Sequence, residues 1–211
     1  MDPKTERIVW IDCEMTGLDL ERDALIEVAA LVTDSDLTVL GEGVDVVIAC
    51  DELALESMPE VVRAMHTASG LLDELATGVT MQQAQDMIMR YVREYVPEPR
   101  KAPLAGNTVG TDRGFLARDM PELDQHLHYR IIDVSSIKEL SRRWFPRAYF
   151  AAPRKQGGHR ALADIRESIH ELKYYRQAVF VPAPGPDSAT ARRIAAGLAE
   201  PGLPGTAAAQ A

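Results

Sequence analysis

The 211-residue sequence predicts one α/β domain with a C-terminal tail. Three observations lead there. Short apolar runs near the start, separated by polar turns, read as an antiparallel meander. The apolar period then changes to that of helices alternating with short strands, which would lie parallel to the first strand. From Pro182 the chain thins to Ala, Pro, Gly, Ser and Thr with four cancelling charges. The expected division is a domain over 1–181 and a disordered tail over 182–211, in which only Ala189 to Ala199 could form a weak helix.

The first strand is the unbroken run Ile8 to Ile11, the pattern of a strand buried on both faces. Leu25 to Val32 is the second. Asp34-Ser35-Asp36 turns the chain, and Val39 to Ala49 alternates as the third. Ala84, Met87, Ile88, Tyr91, Val92 and Tyr95 then form one helical stripe, with Thr80 and Gln83 spaced as a capping box and Pro97 as the stop. A strand near Leu104-Ala105 leads through the turn Asn107 to Thr111 into a helix near Asp112. Tyr129 to Ile132 is a further strand. Ser136 and Glu139 are spaced to cap a helix running to about Trp144, and 146–158 reads as a loop. Leu162, Ile165, Ile169 and Leu172 mark the last helix.

Composition bounds the function. No window reaches the roughly 18 consecutive apolar residues of a membrane span. The first residues lack the apolar stretch of a secretory signal. The cysteines, Cys13 and Cys50, form no CxxC pair, so neither a disulfide framework nor a thiolate zinc site is expected. The expected location is the cytoplasm. A net charge of −9 argues against coating long duplex nucleic acid. Residues 138–160 are locally basic, with seven Lys or Arg against Glu139 alone, which a solvated basic face would equally explain.

Asp12 and Glu14 follow the first strand at i and i+2, so they share a face. Two carboxylates there repel, and a divalent cation is the simplest compensation, although strand ends also carry solvated acids. Asp112 and Asp164 each stand where a helix begins, a position that favours acids in any case. In an open α/β sheet all four would converge at the carboxyl ends of the strands. His159, after Gly157-Gly158, is either a surface histidine or a candidate general base beside those acids. Four acids with no thiolate suit two hard cations and phosphoryl chemistry. The residues alone reach a metal-dependent phosphodiesterase, without a substrate.

Five blocks carry a resemblance. WIDCEMTGLD (Trp10 to Asp19), GNTVGTDRGFL (Gly106 to Leu116) and KQGGHRALADIRESI (Lys155 to Ile169) resemble the three motifs of DEDDh exonucleases. HTASGL (His66 to Leu71) and HYRIIDVSSIKELSRRW (His128 to Trp144) are similar to the oligoribonuclease family within them. The resemblance covers roughly residues 6–180. It implies a ribonuclease-H-like mixed sheet flanked by helices, a homodimer, and 3′-to-5′ hydrolysis of very short RNA, especially dinucleotides, to 5′-mononucleotides. It implies that Asp12, Glu14, Asp112 and Asp164 hold two divalent cations, Mg²⁺ or Mn²⁺, and that His159 activates water. It places Leu18 between the two bases, His66 on the 3′ nucleotide, and Tyr129 of the partner copy on the 5′ base. Arg130, Ser135 and Lys138 would hold the 5′ phosphate.

Two positions depart from the family. Thr108 stands where many members have Ser, keeping the hydroxyl for a phosphate contact. Val61 stands where many have a stacking aromatic, with Met58 or Met65 as apolar substitutes. The competing functions are a trimming or proofreading exonuclease on longer RNA or DNA, and a non-catalytic module that holds short nucleotides. The first needs a longer basic track, and the second a broken acid set.

Overall fold

In the computed structural model, which describes residues 6–154 and 158–198, five strands form one sheet in the order β3-β2-β1-β4-β5. β1 (Arg7–Met15) pairs antiparallel with β2 (Leu25–Asp34), and β2 with β3 (Val39–Val47). This is the expected meander. Next come α1 (Glu52–Glu56), α2 (Glu60–Ala68), α3 (Leu71–Glu74), a 3₁₀ turn at Leu75–Thr77, and α4 (Met81–Tyr95). β4 (Pro103–Gly106) joins β1 in parallel, and α5 (Gly110–Asp119) and α6 (Pro121–His126) follow. β5 (His128–Asp133) joins β4 in parallel and ends the sheet. Then come α7 (Val134–Trp144), α8 (Pro146–Phe150), α9 (Ala161–Ala178) and α10 (Ser188–Gly197).

Strand alternation divides the core. Val9, Ile11 and Cys13 face Ile88 and Val92 of α4, Phe115 and Leu116 of α5, and Leu123 of α6. Ile8 and Trp10 face the opposite way, packing with Val134 of α7 and Ala161, Ile165 and Ile169 of α9. Burial of one such aliphatic side chain contributes about 1.5–3 kcal/mol. The indole Nε1 of Trp10 donates to Thr33 Oγ1 at 3.0 Å, so its one polar group is satisfied inside the core. The α9-facing parity of β1 (Ile8, Trp10) continues into Asp12 and Glu14. Apolar packing against α9 thereby sets which side of the sheet the acids occupy.

Several expectations need correction. β1 runs through Asp12 and Glu14 to Met15, past the apolar run, because β2 supplies pairing partners along that whole length. The Thr80–Gln83 capping box is present, but Met87 of the α4 stripe is 36% exposed while Met89 is buried, as the helix turns its face by one position. The cap of α7 is Asp133, which accepts from Ser135 N, and the Ser136 hydroxyl donates to the same carboxylate. The segment read as a loop over 146–158 contains α8, started by Pro146 at the first turn. Within 182–198, α10 is capped by Asp187 and buries no residue. Residues 199–211 and Lys155 and Gly157 of the basic segment lie outside the described residues. None of the described helices is long and apolar enough to cross a membrane.

Candidate active site

The four acids meet at one end of β1. Asp112, in the first turn of α5, accepts a hydrogen bond from Cys13 N through Oδ1 at 3.0 Å, between Asp12 and Glu14. It is 6% exposed, and burial pushes its carboxyl up to about 6 despite that bond. Glu14 is nearly buried and is pushed up to about 8, first by burial, then by repulsion from Glu27, Asp164 and Asp112. Burial, then the Asp112, Asp12 and Glu14 carboxylates, raise the Cys13 thiol. Such shifts mean that ionised carboxylates are crowded without enough positive charge. Asp164, in the first turn of α9, completes the group. Donor atoms of Glu14, His159 and Asp164 lie within 4.8 Å of one another. Asp12, half-buried, and Asp112 stand next to that trio rather than in it.

His159 is exposed and adopts a left-handed backbone, φ 47°. Arg160 is the N-cap of α9, yet its side chain makes no capping bond. Glu27 of β2 caps the helix across the sheet instead, its Oε2 accepting from Ala161 N at 3.1 Å. Its Oε1 accepts from Arg160 Nε at 2.8 Å, and Glu74 Oε1 and Oε2 accept from the terminal guanidinium nitrogens at 2.8 and 3.1 Å. Sequence reasoning missed all three residues. The available signal was Glu27 itself, a lone acid inside the apolar run LIEVAALV, which needs a cationic partner once buried.

A second polar group joins Thr108, Ser135 and Lys138 of the residues expected at the 5′ phosphate, but not Arg130. Ser168 donates to Asp164 O at 2.8 Å, so its oxygen accepts from Asn107 Nδ2 at 2.7 Å. Asn107 Nδ2 also donates to Glu171 Oε2 at 3.2 Å, and Asn107 Oδ1 accepts from the Ser135 hydroxyl at 3.0 Å. The Thr108 and Ser135 hydroxyls lie 3.1 Å apart, and Lys138 Nζ pairs with Glu171 Oε1 at 3.1 Å. Glu171 and Ser168 are buried. Asp164, Ser168 and Glu171 fall at i, i+4 and i+7, a polar stripe on the inner face of α9 that would have located them.

The remaining expected residues are placed differently. Leu18 is 74% exposed in the loop after β1. His66 is fully buried, its Nε2 2.9 Å from Met15 O. Its Nδ1 is 3.9 Å from Glu14 and has no hydrogen-bond partner, so the ring lies beside the acid rather than open to solvent. Val61 is exposed on α2, whereas Met58 is buried with Ile26, Leu71 and Leu75, which removes it as a base-stacking substitute. Met65 is half-buried. Tyr129 is 74% exposed on the edge strand β5, stacked on His128, with Arg130 over its ring and Arg130 Nε donating to its hydroxyl at 3.1 Å.

Residues 9–172 match the RNase_T exonuclease family. The chain is 71% identical to an oligoribonuclease of Streptomyces griseus over 199 residues, covering 94% of this chain and 99% of that one. It is 63% identical to an oligoribonuclease of Cutibacterium acnes, covering 90% and 94%. Among solved structures it is similar in fold to E. coli exonuclease I bound to single-stranded DNA with zinc, with TM-score 0.62 and 16% identity, covering 82% of this chain. Exonuclease I of Methylocaldum szegediense gives TM-score 0.59 and 20% identity over the same share. This chain spans only 40–41% of the length of those exonuclease I chains.

Proposed function

We infer the activity from one premise: this chain belongs to the oligoribonuclease family and is a metal-dependent 3′-to-5′ exonuclease. Its substrate, in our reading, is very short RNA, above all a 5′-phosphorylated dinucleotide, and its products are 5′-mononucleotides. The observation that carries the chemistry is the convergence of Glu14, Asp164 and His159 donor atoms within 4.8 Å, beside Asp12 and Asp112.

The donor set fits hard cations. It offers carboxylate oxygens with no thiolate ligand needed, and Glu14 is pushed up to about 8 by burial and its acidic neighbours. Asp12, Glu14, Asp112 and Asp164 would hold two divalent cations, Mg²⁺ or Mn²⁺. When bound, such ions neutralise the acids and stabilise charge developing on the phosphoryl oxygens. His159 takes the proton of the attacking water, a role worth about 10²–10⁴-fold in rate. The water oxygen bonds to phosphorus, the P–O3′ bond breaks, and a nucleoside 5′-monophosphate leaves the shortened chain. His66, buried behind Glu14, would back the pocket of the 3′ nucleotide rather than touch the base.

Length selection is assigned to Thr108, Arg130, Ser135 and Lys138. The bonds among Thr108, Ser135, Asn107 and Glu171 support that reading, because they preorganise a small polar pocket near α9. Tyr129 and Leu18, both exposed, would stack on and wedge between the bases; aromatic stacking contributes about 1–3 kcal/mol per base. The unpaired edge of β5, with Tyr129 and Ile131 exposed, and Trp144, Phe145 and Phe150 nearby in sequence, supports a homodimer in which Tyr129 serves the partner copy's site.

The deciding experiment is a length series of 5′-phosphorylated RNAs of about two to seven nucleotides, with Mg²⁺, Mn²⁺ or EDTA. Rapid metal-dependent cleavage of the dinucleotide, falling steeply with length, is the expected result. Rates that hold level or rise with length would instead make the chain a general trimming exonuclease.

A further inference from the structure

We propose that Arg160, clasped between Glu27 and Glu74, is a positioning residue for His159. The proposal rests on the reading of His159 as the proton acceptor. His159 is exposed, and its left-handed backbone is one that side chains other than glycine adopt only when their surroundings impose it. Among the described residues a side chain at Gly158 would meet open space. An anchor stands on the C-terminal side. There, three guanidinium nitrogens bond two carboxylates at 2.8–3.1 Å, and the next amide, Ala161 N, bonds Glu27 as well. The Arg160 carbonyl accepts from Asp164 N at 3.0 Å, a backbone bond of the first helical turn that does not depend on the side chain at 160.

The clasp takes its reference from the sheet. Glu27 is fully buried on β2, directly opposite Glu14 of β1. The backbone that follows His159 is thus fixed to the strand pair that presents Glu14. Glu74 closes the clasp from the end of α3 with a half-exposed side chain. Only an arginine supplies this arrangement: its planar fork bonds two carboxylates at once, while an ammonium has neither the reach nor the geometry. Catalysis is sensitive to such placement, since an error of about 1 Å can lower a rate 10²-fold.

The test is steady-state hydrolysis of a 5′-phosphorylated dinucleotide by the full chain with Mn²⁺, comparing wild type, H159A, R160K, E74Q and the double variants H159A/R160K and H159A/E74Q. R160K is expected to lower kcat at least about tenfold and E74Q about three- to tenfold, with KM within about twofold of wild type. In the H159A background neither change should lower the residual rate further, because the clasp acts through the imidazole. A clasp that merely supports the fold predicts equal fractional losses in both backgrounds, and that result would overturn the proposal. So would wild-type kcat in a folded R160K or E74Q beside a crippled H159A. Glu74→Gln alters a half-exposed side chain and decides the matter should R160K not fold. Full activity in H159A would remove the His159 reading itself, and the positioning role with it.

Discussion

Two polar clusters sit on the same face of the sheet, and they handle charge in opposite ways. Around Glu14 the carboxylates crowd it, and burial with their repulsion pushes Glu14 up to about 8, while burial pushes Asp112 up to about 6. Around Glu171 the charges are settled: Lys138 takes one oxygen, Asn107 the other, and Ser135 and Ser168 complete the set. The Glu27–Arg160–Glu74 clasp belongs with the second kind. A cluster built for structure pairs its charges within the chain, whereas crowded carboxylates call for positive charge from outside it. Crowded buried acids are therefore the better marker of a candidate cation site.

The contrast can be broken hardest at Asp12. Asp12→Ala is expected to lower kcat by 10³-fold or more, on the order of a lost metal ligand, while the far-ultraviolet circular dichroism and melting cooperativity stay like wild type. Turnover near wild type would detach the acids from the chemistry.

The next largest effect is on stability in EDTA. Glu14 and Asp112 keep their protons to higher pH when folded than when unfolded, so between about pH 4.5 and 8 the native state binds more protons. Metal-free stability must therefore fall as pH rises through that window. A melting temperature lower at pH 8 than at pH 5.5 by about 5 °C or more is expected, and Mn²⁺ should reverse the loss at pH 8. A flat profile, with no gain from Mn²⁺, would mean the cluster is already balanced.

The smallest effect sharpens the settled cluster. Lys138→Met keeps much of the side chain's length but removes the cation facing Glu171. The preference for a 5′-phosphorylated over a 5′-hydroxyl dinucleotide is expected to drop about tenfold, the size of one charge-assisted hydrogen bond. An unchanged ratio would place the 5′ phosphate elsewhere.

How much of this was legible in the sequence follows from the range of the interactions involved. The meander, the Thr80 cap and the four motif acids rest on local patterns, and each appears where those patterns place it. Residues 51–77 fold into short helices whose apolar positions answer to Ile26 and Val47 of the sheet rather than to a helical period of their own. Glu27 and Arg160 are separated by 133 residues, so no local window joins them. His66 carries a motif, but its burial against Met15 depends on how α2 is laid over the end of β1. The cap of α7 is Asp133 rather than Ser136 because both belong to one hydrogen-bonded turn, and only the backbone shows which holds the amide.

The alternation along β1 has a consequence for how this chain can vary. Ile8 and Trp10 share a side of the strand with Asp12 and Glu14. Inserting a single residue between Trp10 and Asp12 would exchange the faces, driving carboxylates into the layer beneath α4 and turning Cys13 and Met15 toward α9. Two inserted residues would restore the face yet carry the acids about 6.6 Å along the strand, away from Asp112 and Asp164. The strand thus keeps count: its length between tryptophan and glutamate tolerates no change.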